Sequence, residues 1–461
     1  MLRTFSLRRF LAFSRDRAYT ATAGASTWRS LAAEKTRGSG CRRWLALLQV
    51  IPFALPVMLI ALPVAGADDW TEFRGPTGQG HAIVKGLPVQ WSDTENVKWK
   101  QDLPGLGWSS PVVSDGKVFL TTAVAKGDNG DAGQSLRVMC LSAVDGTKMW
   151  DEEVFAAGAD APKIHGKNSH ASPTAIISGD LVFVHFGHQG TACLSRDGKI
   201  RWRSQELSYS PVHGNGGTPV LYKGSLFFSA DGGDNPFVAS LAGATGAVRW
   251  KTTRACDAVK KFAFSTPLMI EVNGKPQLIS PGSHSVGAFD PESGREIWRV
   301  NYVGYSVIPR PVVGHGMVYV STSYDSPEVL AIRTDGTGDV TETHVAWRLK
   351  KGAPHTPSML LQGDELYMVS DNGIASCVDA KTGEVHWQER LGGNFSASPL
   401  LAEDRIYFQN ETGVGTVVRA SKKFEKLATN DLKDRTLASY GVVDQSLLIR
   451  TASHLYRIQD R

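Results

Sequence analysis

The sequence predicts an all-β protein, an eight-bladed β-propeller with four-stranded antiparallel blades. Three observations lead to this prediction: a unit that recurs eight times, a tryptophan at a fixed distance from a turn glycine, and chain ends that complete one another. The composition agrees, because 47 Gly and 12 Trp in 461 residues are typical of many short strands joined by tight turns.

Each unit opens with a short dipeptide mark, most often Ser or Thr followed by Pro. The marks are Ser110-Pro111, Ser172-Pro173, Thr218-Pro219, Thr266-Pro267, Arg310-Pro311, Thr356-Pro357, Ser398-Pro399 and, without the proline, Ser439-Tyr440. The first interval between prolines is 62 residues and the others run from 42 to 48. Propeller blades repeat at roughly 40 to 50 residues, so the period predicts one blade for each unit.

Within a unit, apolar stretches are separated by tight turns. Dipeptides such as Asp115-Gly116 and Asn273-Gly274 supply the positive φ that short hairpins need. Each unit is therefore predicted to be an antiparallel meander of four strands. One meander is too small to bury its apolar residues alone, so the units are expected to stack around an axis.

A tryptophan stands near the end of most units, four residues after a turn glycine. The five pairs are Gly146 and Trp150, Gly198 and Trp202, Gly246 and Trp250, Gly294 and Trp298, and Gly383 and Trp387. We expect each tryptophan to wedge against the next blade. A second position takes only small residues, among them Cys140, Cys193 and Cys377. This pattern indicates tight packing sites rather than disulfides.

The two chain ends predict how the ring closes. The last unit supplies only three strands before the chain stops, near 441–443, 447–450 and 455–458. Residues 97–100 have the pattern of a fourth strand, but no first three strands of a unit precede them. We therefore predict that this N-terminal strand completes the last blade, which removes exposed sheet edges. The propeller is assigned to residues 97–461, after an N-terminal extension at 68–96.

Residues 1–67 are predicted to be an export leader. Residues 1–43 carry nine Arg and one Lys against Asp16 and Glu34, and an uncharged apolar run follows to Ala67. The small residues at 65–67 favour cleavage after Ala67; the alternative is an uncleaved membrane anchor. The expected location is periplasmic or otherwise extracytoplasmic, with membrane contact only through an uncleaved leader.

The charge outside the leader bears on the choice of partners. The predicted leader carries a net charge of +8, whereas the whole chain carries +5. The residues after the leader therefore carry a net charge of about −3. Nucleic-acid binding needs a basic field and is not expected. The expected partner is an envelope protein or a small ligand, and a monomer is expected.

The segment Asp379-x-x-Thr382-Gly383-x-x-x-Trp387 is similar to the tryptophan-docking motif of propellers with pyrroloquinoline-quinone (PQQ) repeats. The resemblance covers roughly residues 97–461, and the segment Trp70–Pro76 resembles the opening of a bacterial subgroup. The family includes the outer-membrane-protein assembly propeller and, more distantly, quinoprotein alcohol dehydrogenases. The resemblance implies the propeller fold, but the shared motif packs blades and does not decide function.

Two functions follow from the resemblance. The first is a non-catalytic binding or scaffold protein of the cell envelope, for which no cofactor is expected. The alternative is a quinone-dependent oxidoreductase that uses PQQ and Ca²⁺. Dehydrogenases of this family characteristically have adjacent cysteines, and this sequence has no Cys-Cys and no Cys-x-x-Cys-His. The sequence therefore favours the non-catalytic function, and no catalytic residue is assigned.

The predicted ligand site lies at one mouth of the central channel, where the residues before each mark are expected to meet. Arg310 replaces the short hydroxyl of the other units and could bind a carboxylate or phosphate; the alternative is a structural ion pair. An aromatic and imidazole lining would suit a flat ligand or a peptide. The predicted site residues are Trp108, His170, Asn215, Phe264, Arg310 and His355.

No metal site is predicted. The histidines lack paired spacing. Two acidic loops, Asp128-x-x-Asp131 and Asp231-x-x-Asp234, could collect Ca²⁺, but they are interpreted as solvated turns.

Overall fold

The structure is a computed structural model that describes residues 69–127 and 132–460. The predicted leader, its cleavage site and the acidic loop at 128–131 lie outside the described residues. Among the residues described, no helix is both long enough and apolar enough to cross a membrane.

Eight antiparallel sheets form the molecule, as the sequence predicts. Each blade has four strands, numbered here from first to fourth outward from the axis. The first strands of neighbouring blades contact one another around the centre. Strands of blades 1 to 4 are Val112–Ser114, Lys117–Ala125, Gln134–Ser142 and Lys148–Ala157; Ile176–Ser178, Leu181–His185, Thr191–Ser195 and Ile200–Ser204; Val220–Tyr222, Ser225–Ala230, Phe237–Ala242 and Val248–Thr253; Leu268–Val272, Lys275–Pro281, Ser285–Phe289 and Glu296–Asn301.

The other four blades follow in chain order, except that blade 8 takes its fourth strand from the N-terminal side. Their strands are Val312–Gly314, Met317–Ser321, Val329–Arg333 and Val345–Leu349; Leu360–Gln362, Glu365–Val369, Ile374–Asp379 and Val385–Arg390; Leu400–Ala402, Arg405–Gln409, Val414–Arg419 and Lys426–Asp431; Gly441–Val443, Ser446–Arg450, His454–Ile458 and Val97–Asp102.

Two short parallel strands are added to this plan. His81–Ala82 pairs with the first strand of blade 7, and Gly338–Asp339 pairs with the fourth strand of blade 4. The described helices are short, an α-helical turn at Thr341–His344 and a 3₁₀ turn at Gly187–Gln189.

The ring closes through the predicted strand. Val97–Asp102 pairs antiparallel with His454–Ile458, and the register places Val97 opposite Ile458. Closure leaves both neighbours of blade 8 in place, so the first strand of blade 8 contacts the first strand of blade 1. The sequence prediction of an N-terminal strand that completes the last blade is confirmed.

The core consists of apolar layers between neighbouring blades, and the recurring tryptophan contributes to these layers. In blade 2, the Trp202 indole donates a hydrogen bond to Gly243 O of blade 3 at 2.9 Å. The same contact to the next blade is made by six tryptophans, Trp99, Trp150, Trp202, Trp250, Trp347 and Trp387. Trp298 differs, because its indole donates to Gln277 of its own blade. The expected contact is confirmed for four of the five predicted tryptophans, Trp150, Trp202, Trp250 and Trp387, and Trp99 and Trp347 make it as well.

The turn glycine and the small position both make room for a tryptophan. A Cβ on Gly246 would lie 2.5 Å from the Trp202 ring of the preceding blade. The small position lies directly opposite the tryptophan of the same blade, as Cys193 does with Trp202 and Cys377 with Trp387. None of the four described cysteines forms a disulfide.

Residues 69–80, here called the floor segment, lie against the first strands at the end remote from the unit marks. Trp70 bridges Val113 of blade 1, beside the turn that ends that strand. The segment then crosses the ring, because its next backbone and side-chain contacts are to Ile177 of blade 2, Val313 of blade 5 and Leu401 of blade 7. One end of the central channel is thereby covered.

Candidate functional site

A ring of hydroxyl residues surrounds the channel. In every blade one residue stands two positions before the first strand, and these residues are Ser110, Thr174, Thr218, Thr266, Arg310, Ser358, Ser398 and Ser439. We call the seven Ser and Thr residues the hydroxyl ring. In blades 2 and 6 the predicted marks, Ser172-Pro173 and Thr356-Pro357, stand two residues too early, because a proline there imitates the repeat.

Hydrogen bonds link the hydroxyl ring from blade to blade. Each bond runs from a backbone N–H of one position to the side-chain oxygen of the next, as from Thr174 N to Thr218 Oγ1 at 3.0 Å. Six such bonds measure 2.9 to 3.0 Å; their acceptors are Thr174, Thr218, Thr266, Ser358, Ser398 and Ser439. The repeat of Ser and Thr at this position is therefore explained by inter-blade bonding.

The hydroxyl ring lines a cavity of about 310 Å³. The residues two positions before the hydroxyl ring and Arg310, one in each blade connection, form a second ring around the cavity. Its apolar members are Trp108, Phe264, Ile308 and Leu437. Leu437 and Trp108 precede blades 8 and 1, whereas Phe264 and Ile308 precede blades 4 and 5, on the opposite side of the ring. The four remaining positions, 172, 216, 356 and 396, are Ser, Gly, Thr and Ser. The second ring thus has two apolar walls that face each other.

The floor of the cavity is formed by Phe73 of the floor segment. Arg310 holds this segment, because its Nη1 donates to Phe73 O at 2.8 Å and lies 3.3 Å from Glu72 Oε1. Burial raises the pKa of Glu72, although the charge of Arg310 opposes that shift. Burial, together with the charge of Arg310, lowers the pKa of Arg74 to about 9. Two guanidinium groups and one carboxyl group therefore lie buried beneath the cavity.

An aromatic arc borders the mouth above the second ring. Successive ring centroids lie 4.9 to 6.3 Å apart, a spacing typical of aromatic contacts, and the arc passes through five consecutive blade connections. Its members are His165, His213, Phe262, Tyr305, Tyr324 and His355. Burial, with a smaller contribution from His165, lowers the pKa of His213. A neutral imidazole is therefore favoured in that part of the arc.

Charged side chains also stand at the mouth. Lys167 Nζ lies 2.7 Å from Glu411 Oε1, and the same oxygen accepts a hydrogen bond from Ser396 Oγ at 2.7 Å. The Arg435 guanidinium lies 5.3 Å from the centre of the Trp108 ring. The mouth is therefore bordered by both aromatic and charged side chains.

Two of the six predicted site residues, Trp108 and Phe264, lie in this cavity. Arg310 instead forms a structural ion pair, the alternative stated for it, and its partner is Glu72 of the floor segment. His355 belongs to the arc but lines a second pocket, beside Lys350 and Asp371. A role for any of them in ligand binding stays a prediction.

His170 and Asn215 lie behind the cavity, next to blade 2. His170 is half-buried and close enough to His188 to affect the pKa of that residue. Asn215 accepts a hydrogen bond from the Tyr209 hydroxyl at 3.0 Å. His170 was assigned to the lining because the mark in blade 2 stands two residues too early.

Several lining residues were missed by the sequence prediction. Ile308 and Leu437 would have been found by counting two residues back from the hydroxyl ring. Tyr305 and Tyr324 lie in a connection and in a loop without a repeated motif. Phe73 is brought to the cavity only by the path of the floor segment, which no periodic signal predicts.

The other acidic loop predicted as a solvated turn differs from that expectation. Asp231 is buried, and its Oδ1 lies 2.8 Å from Arg254 Nε. Burial raises the pKa of Asp231 to about 6, and the charge of Arg254 opposes that shift. Within the described residues no group of three or more His, Cys, Asp or Glu side chains is arranged to hold a metal ion.

The cavity does not fit a Ca²⁺-bound quinone. Among the described side chains that line it, none is Asp or Glu, and Lys167 is the only Lys or Arg. Ca²⁺ requires six to eight oxygen ligands, with carboxylates prominent among them, and the described lining offers no carboxylate.

The comparisons with known proteins agree with this architecture. A family model described as outer membrane protein assembly factor BamB matches residues 14–279, 234–362 and 282–424. A search of curated protein sequences gives no significant match.

Solved structures share the fold at low sequence identity. BamB from Moraxella catarrhalis is 13% identical, with a TM-score of 0.57, over 78% of this chain and 96% of that chain. A europium-containing methanol dehydrogenase is 10% identical, with a TM-score of 0.58, over 84% and 90%. The computationally designed Ika8 protein is 10% identical, with a TM-score of 0.57, over 78% and 99%. An outer membrane protein assembly factor, a methanol dehydrogenase and a computationally designed protein are thus all similar to this chain in fold.

Proposed function

This chain belongs to the PQQ-repeat family whose model is described as outer membrane protein assembly factor BamB, and from that premise we propose that it acts as an exported, non-catalytic binding protein of the cell envelope. The channel mouth is its binding surface. The occupant is a small ligand or a side chain of an envelope protein.

The cavity closed at its floor is the observation that carries this proposal. Phe73 and the floor segment cover one end of the channel, so a ligand enters and leaves through the mouth. Aromatic side chains offer rigid contact area at low entropic cost, which is why they are enriched in binding surfaces. The aromatic arc supplies such an area across five connections.

The lining offers little support for catalysis. A nucleophile needs a base within hydrogen-bond reach and a third group that orients the base. In the described residues, no nitrogen of His165 or His213 accepts a hydrogen bond from a lining hydroxyl. The hydroxyl ring accepts backbone N–H groups instead, a structural use.

Export is tested by expressing the full chain in a Gram-negative host and sequencing the N-terminus of the mature protein. We expect a protein recovered from the periplasmic fraction that begins at Asp68. Recovery in the cytoplasm with an intact leader would contradict the proposal.

The binding surface is tested by placing a photo-crosslinking amino acid at Tyr305 in the arc or, as a control, at Tyr222. Tyr222 ends the first strand of blade 3, at the end remote from the hydroxyl ring. We expect a specific adduct with an envelope component from position 305 only. The same adducts from both positions would count against the mouth as the binding surface.

The quinoprotein alternative has its own test. The exported protein is refolded or purified with PQQ and Ca²⁺, separated from free quinone by gel filtration, and assayed for dye-linked alcohol oxidation. Because the lining lacks the carboxylates that Ca²⁺ requires, we expect no retained quinone absorbance and no oxidation. Stoichiometric quinone with turnover would establish the alternative.

A further inference from the structure

The hydroxyl ring has donors that the protein does not use. All seven hydroxyls line the cavity. Six of their oxygens accept a backbone N–H, and Ser110 Oγ makes no hydrogen bond within the described residues. A hydroxyl carries one O–H donor besides its acceptor lone pairs. No O–H of the seven reaches an acceptor in the part of the chain that the structure describes.

Seven O–H groups around one axis are a site for a hydrogen-bond acceptor. An oxygen that accepts an N–H bond is polarised, so its own O–H becomes a stronger donor. The Trp108 indole N–H in the wall is buried and likewise has no acceptor in the described chain. Hydrogen bonds to a charged acceptor are roughly twice as strong as those between neutral groups, so an anion gains most from this arrangement.

The charges beneath the floor favour an anion as well. No carboxylate is among the described residues that line the cavity. Glu411 and Asp371, which border the lining, accept hydrogen bonds from Ser396 and Thr356, and Glu411 is also paired with Lys167. Beneath the floor, Arg74 and Arg310 outnumber Glu72, and Arg74 Nε and Nη1 are buried without partners in the described residues. A cation in the channel would be repelled by the guanidinium groups beneath the floor.

The second ring indicates what the anionic group is attached to. Trp108 and Leu437 face Phe264 and Ile308 across the channel, with small residues at the other four positions. Two opposed apolar walls with open sides form a slot for a flat body, which aromatic side chains contact well. A volume of about 310 Å³ is at the lower end of the range for small-molecule sites.

We propose that the channel cavity binds a small aromatic carboxylate, with its carboxylate against the hydroxyl ring and its ring between the apolar walls. This inference deepens the proposed function and rests on the mouth being the binding surface. The carboxylate accepts O–H bonds from several blades at once. The aromatic body fills the second ring and points toward the mouth.

The test is calorimetric titration of the exported protein with benzoate, with benzamide as the neutral probe of the same shape and with inorganic phosphate as an anion without an apolar body. We expect saturable benzoate binding, with benzamide and phosphate each at least about tenfold weaker. Equal affinities for benzoate and benzamide would overturn the proposal. So would binding of phosphate alone, because the apolar walls would then contribute nothing.

Variants of the hydroxyl ring distinguish an anion-binding role of these hydroxyls from a purely structural role. Ser110→Ala removes an O–H without removing a backbone acceptor, so the fold is expected to be unaffected and benzoate affinity to fall about tenfold. Thr266→Val should have the same effect on affinity, and Thr266→Ser should restore it. Thr253→Val, at an exposed position of the fourth strand of blade 3, is the matched control and should leave benzoate affinity unchanged. Unchanged affinity in Ser110→Ala and Thr266→Val would overturn the proposal.

Different results would contradict the anion site and the proposal that the mouth is the binding surface. If Phe264→Ala abolishes binding of every probe while the hydroxyl-ring variants change none, the anion site is wrong and the mouth remains the binding surface. If no probe binds and crosslinking from position 305 also fails, both are wrong.

Discussion

At the scale of single residues, Arg310 and Glu72 decide whether the floor segment stays in place. Arg310 is buried and Glu72 is largely buried, with side-chain exposures of 3% and 17%, and Arg310 also donates to Pro267 O and Phe73 O. Breaking a buried pair leaves an uncompensated charge. The pair is therefore expected to contribute far more than an ion pair on the surface.

Arg310→Ala is expected to lower the free energy of unfolding by roughly 3 to 5 kcal/mol, because it leaves the Glu72 carboxylate buried without its partner. Urea denaturation measures the loss. Adding Glu72→Gln to that variant should recover part of the loss, since the stranded charge is removed. Strictly additive losses would show that the two residues are not coupled.

His185 makes stability depend on pH. Burial, with a smaller effect of His188, lowers the pKa of His185 to about 3, and its Nδ1 lies 2.8 Å from Thr191 Oγ1. Between about pH 3 and 6.5 the unfolded chain binds a proton at this residue that the folded chain does not bind. The free energy of unfolding should therefore rise with pH in that window, by up to about 1.4 kcal/mol per pH unit from this residue.

The matched variant is His185→Gln, which is neutral at every pH. Urea denaturation between pH 4.5 and 7 should give a steeper rise for the natural protein than for the variant. Parallel curves would contradict the assignment of this dependence to His185.

Residue-level prediction from the sequence was limited by register. The sequence correctly identifies Arg310 as unlike the residues at the other seven positions. The direction in which its side chain points, however, depends on Glu72 and Phe73, which are more than 230 residues away in the chain. His170 was placed in the lining because Ser172-Pro173 resembles a mark. Local sequence cannot decide between two hydroxyls two residues apart when both could open a strand.

At the scale of elements, the turn between the third and fourth strands has two requirements. Gly246 has φ of +76°, and a Cβ there would lie 2.5 Å from the Trp202 ring. Gly224, in the first turn of the same blade, has φ of +74° but no atom within 4 Å of its hypothetical Cβ. The two glycines share a backbone conformation and differ in the approach of the preceding blade.

Alanine at both positions separates the two effects. Gly224→Ala should cost roughly 1 to 2 kcal/mol of unfolding free energy, which is the strain of positive φ. Gly246→Ala should cost roughly 1 to 3 kcal/mol more, because the Trp202 ring must move. Thermal and urea denaturation of both variants give the difference, and equal losses would show that the tryptophan contact adds nothing.

The strands and turns of the blades are predicted well by the sequence. Strand, turn and tryptophan recur in register, so that each blade repeats the same local solution, and Trp202 and Trp387 both make the predicted contact to the next blade. The parallel strand Gly338–Asp339 was not predicted, because it pairs with a neighbouring blade and belongs to no repeat.

At the scale of the whole molecule, closure depends on one N-terminal strand. Val97–Asp102 supplies the fourth strand of blade 8, and Trp99 packs from it onto blade 1. Without this strand, blade 8 has an open edge and the ring has a gap. The floor segment lies outside the ring and is not needed for closure.

Two deletions distinguish these roles. A chain that begins at residue 97 should remain monomeric and unfold cooperatively with an open channel floor, but at lower stability, because it lacks Glu72 and the buried Leu87 and Trp91. A chain that begins at residue 103 should associate through the free edge and lose cooperative unfolding. Gel filtration and calorimetry are the measurements, and identical behaviour of the two chains would contradict the role assigned to the strand.

Pairing of Asp102 with His454 joins residues that are roughly 350 positions apart, and such a contact costs more loop-closure entropy than any bond within a blade. The ribosome makes the closing strand before the other strands of the ring, and its partner strand after the other seven blades. A chain truncated near residue 450 would lose the partner of that early strand. Native folding therefore requires translation past residue 458, and chains truncated before that point would be left with unpaired sheet edges for proteases to recognise.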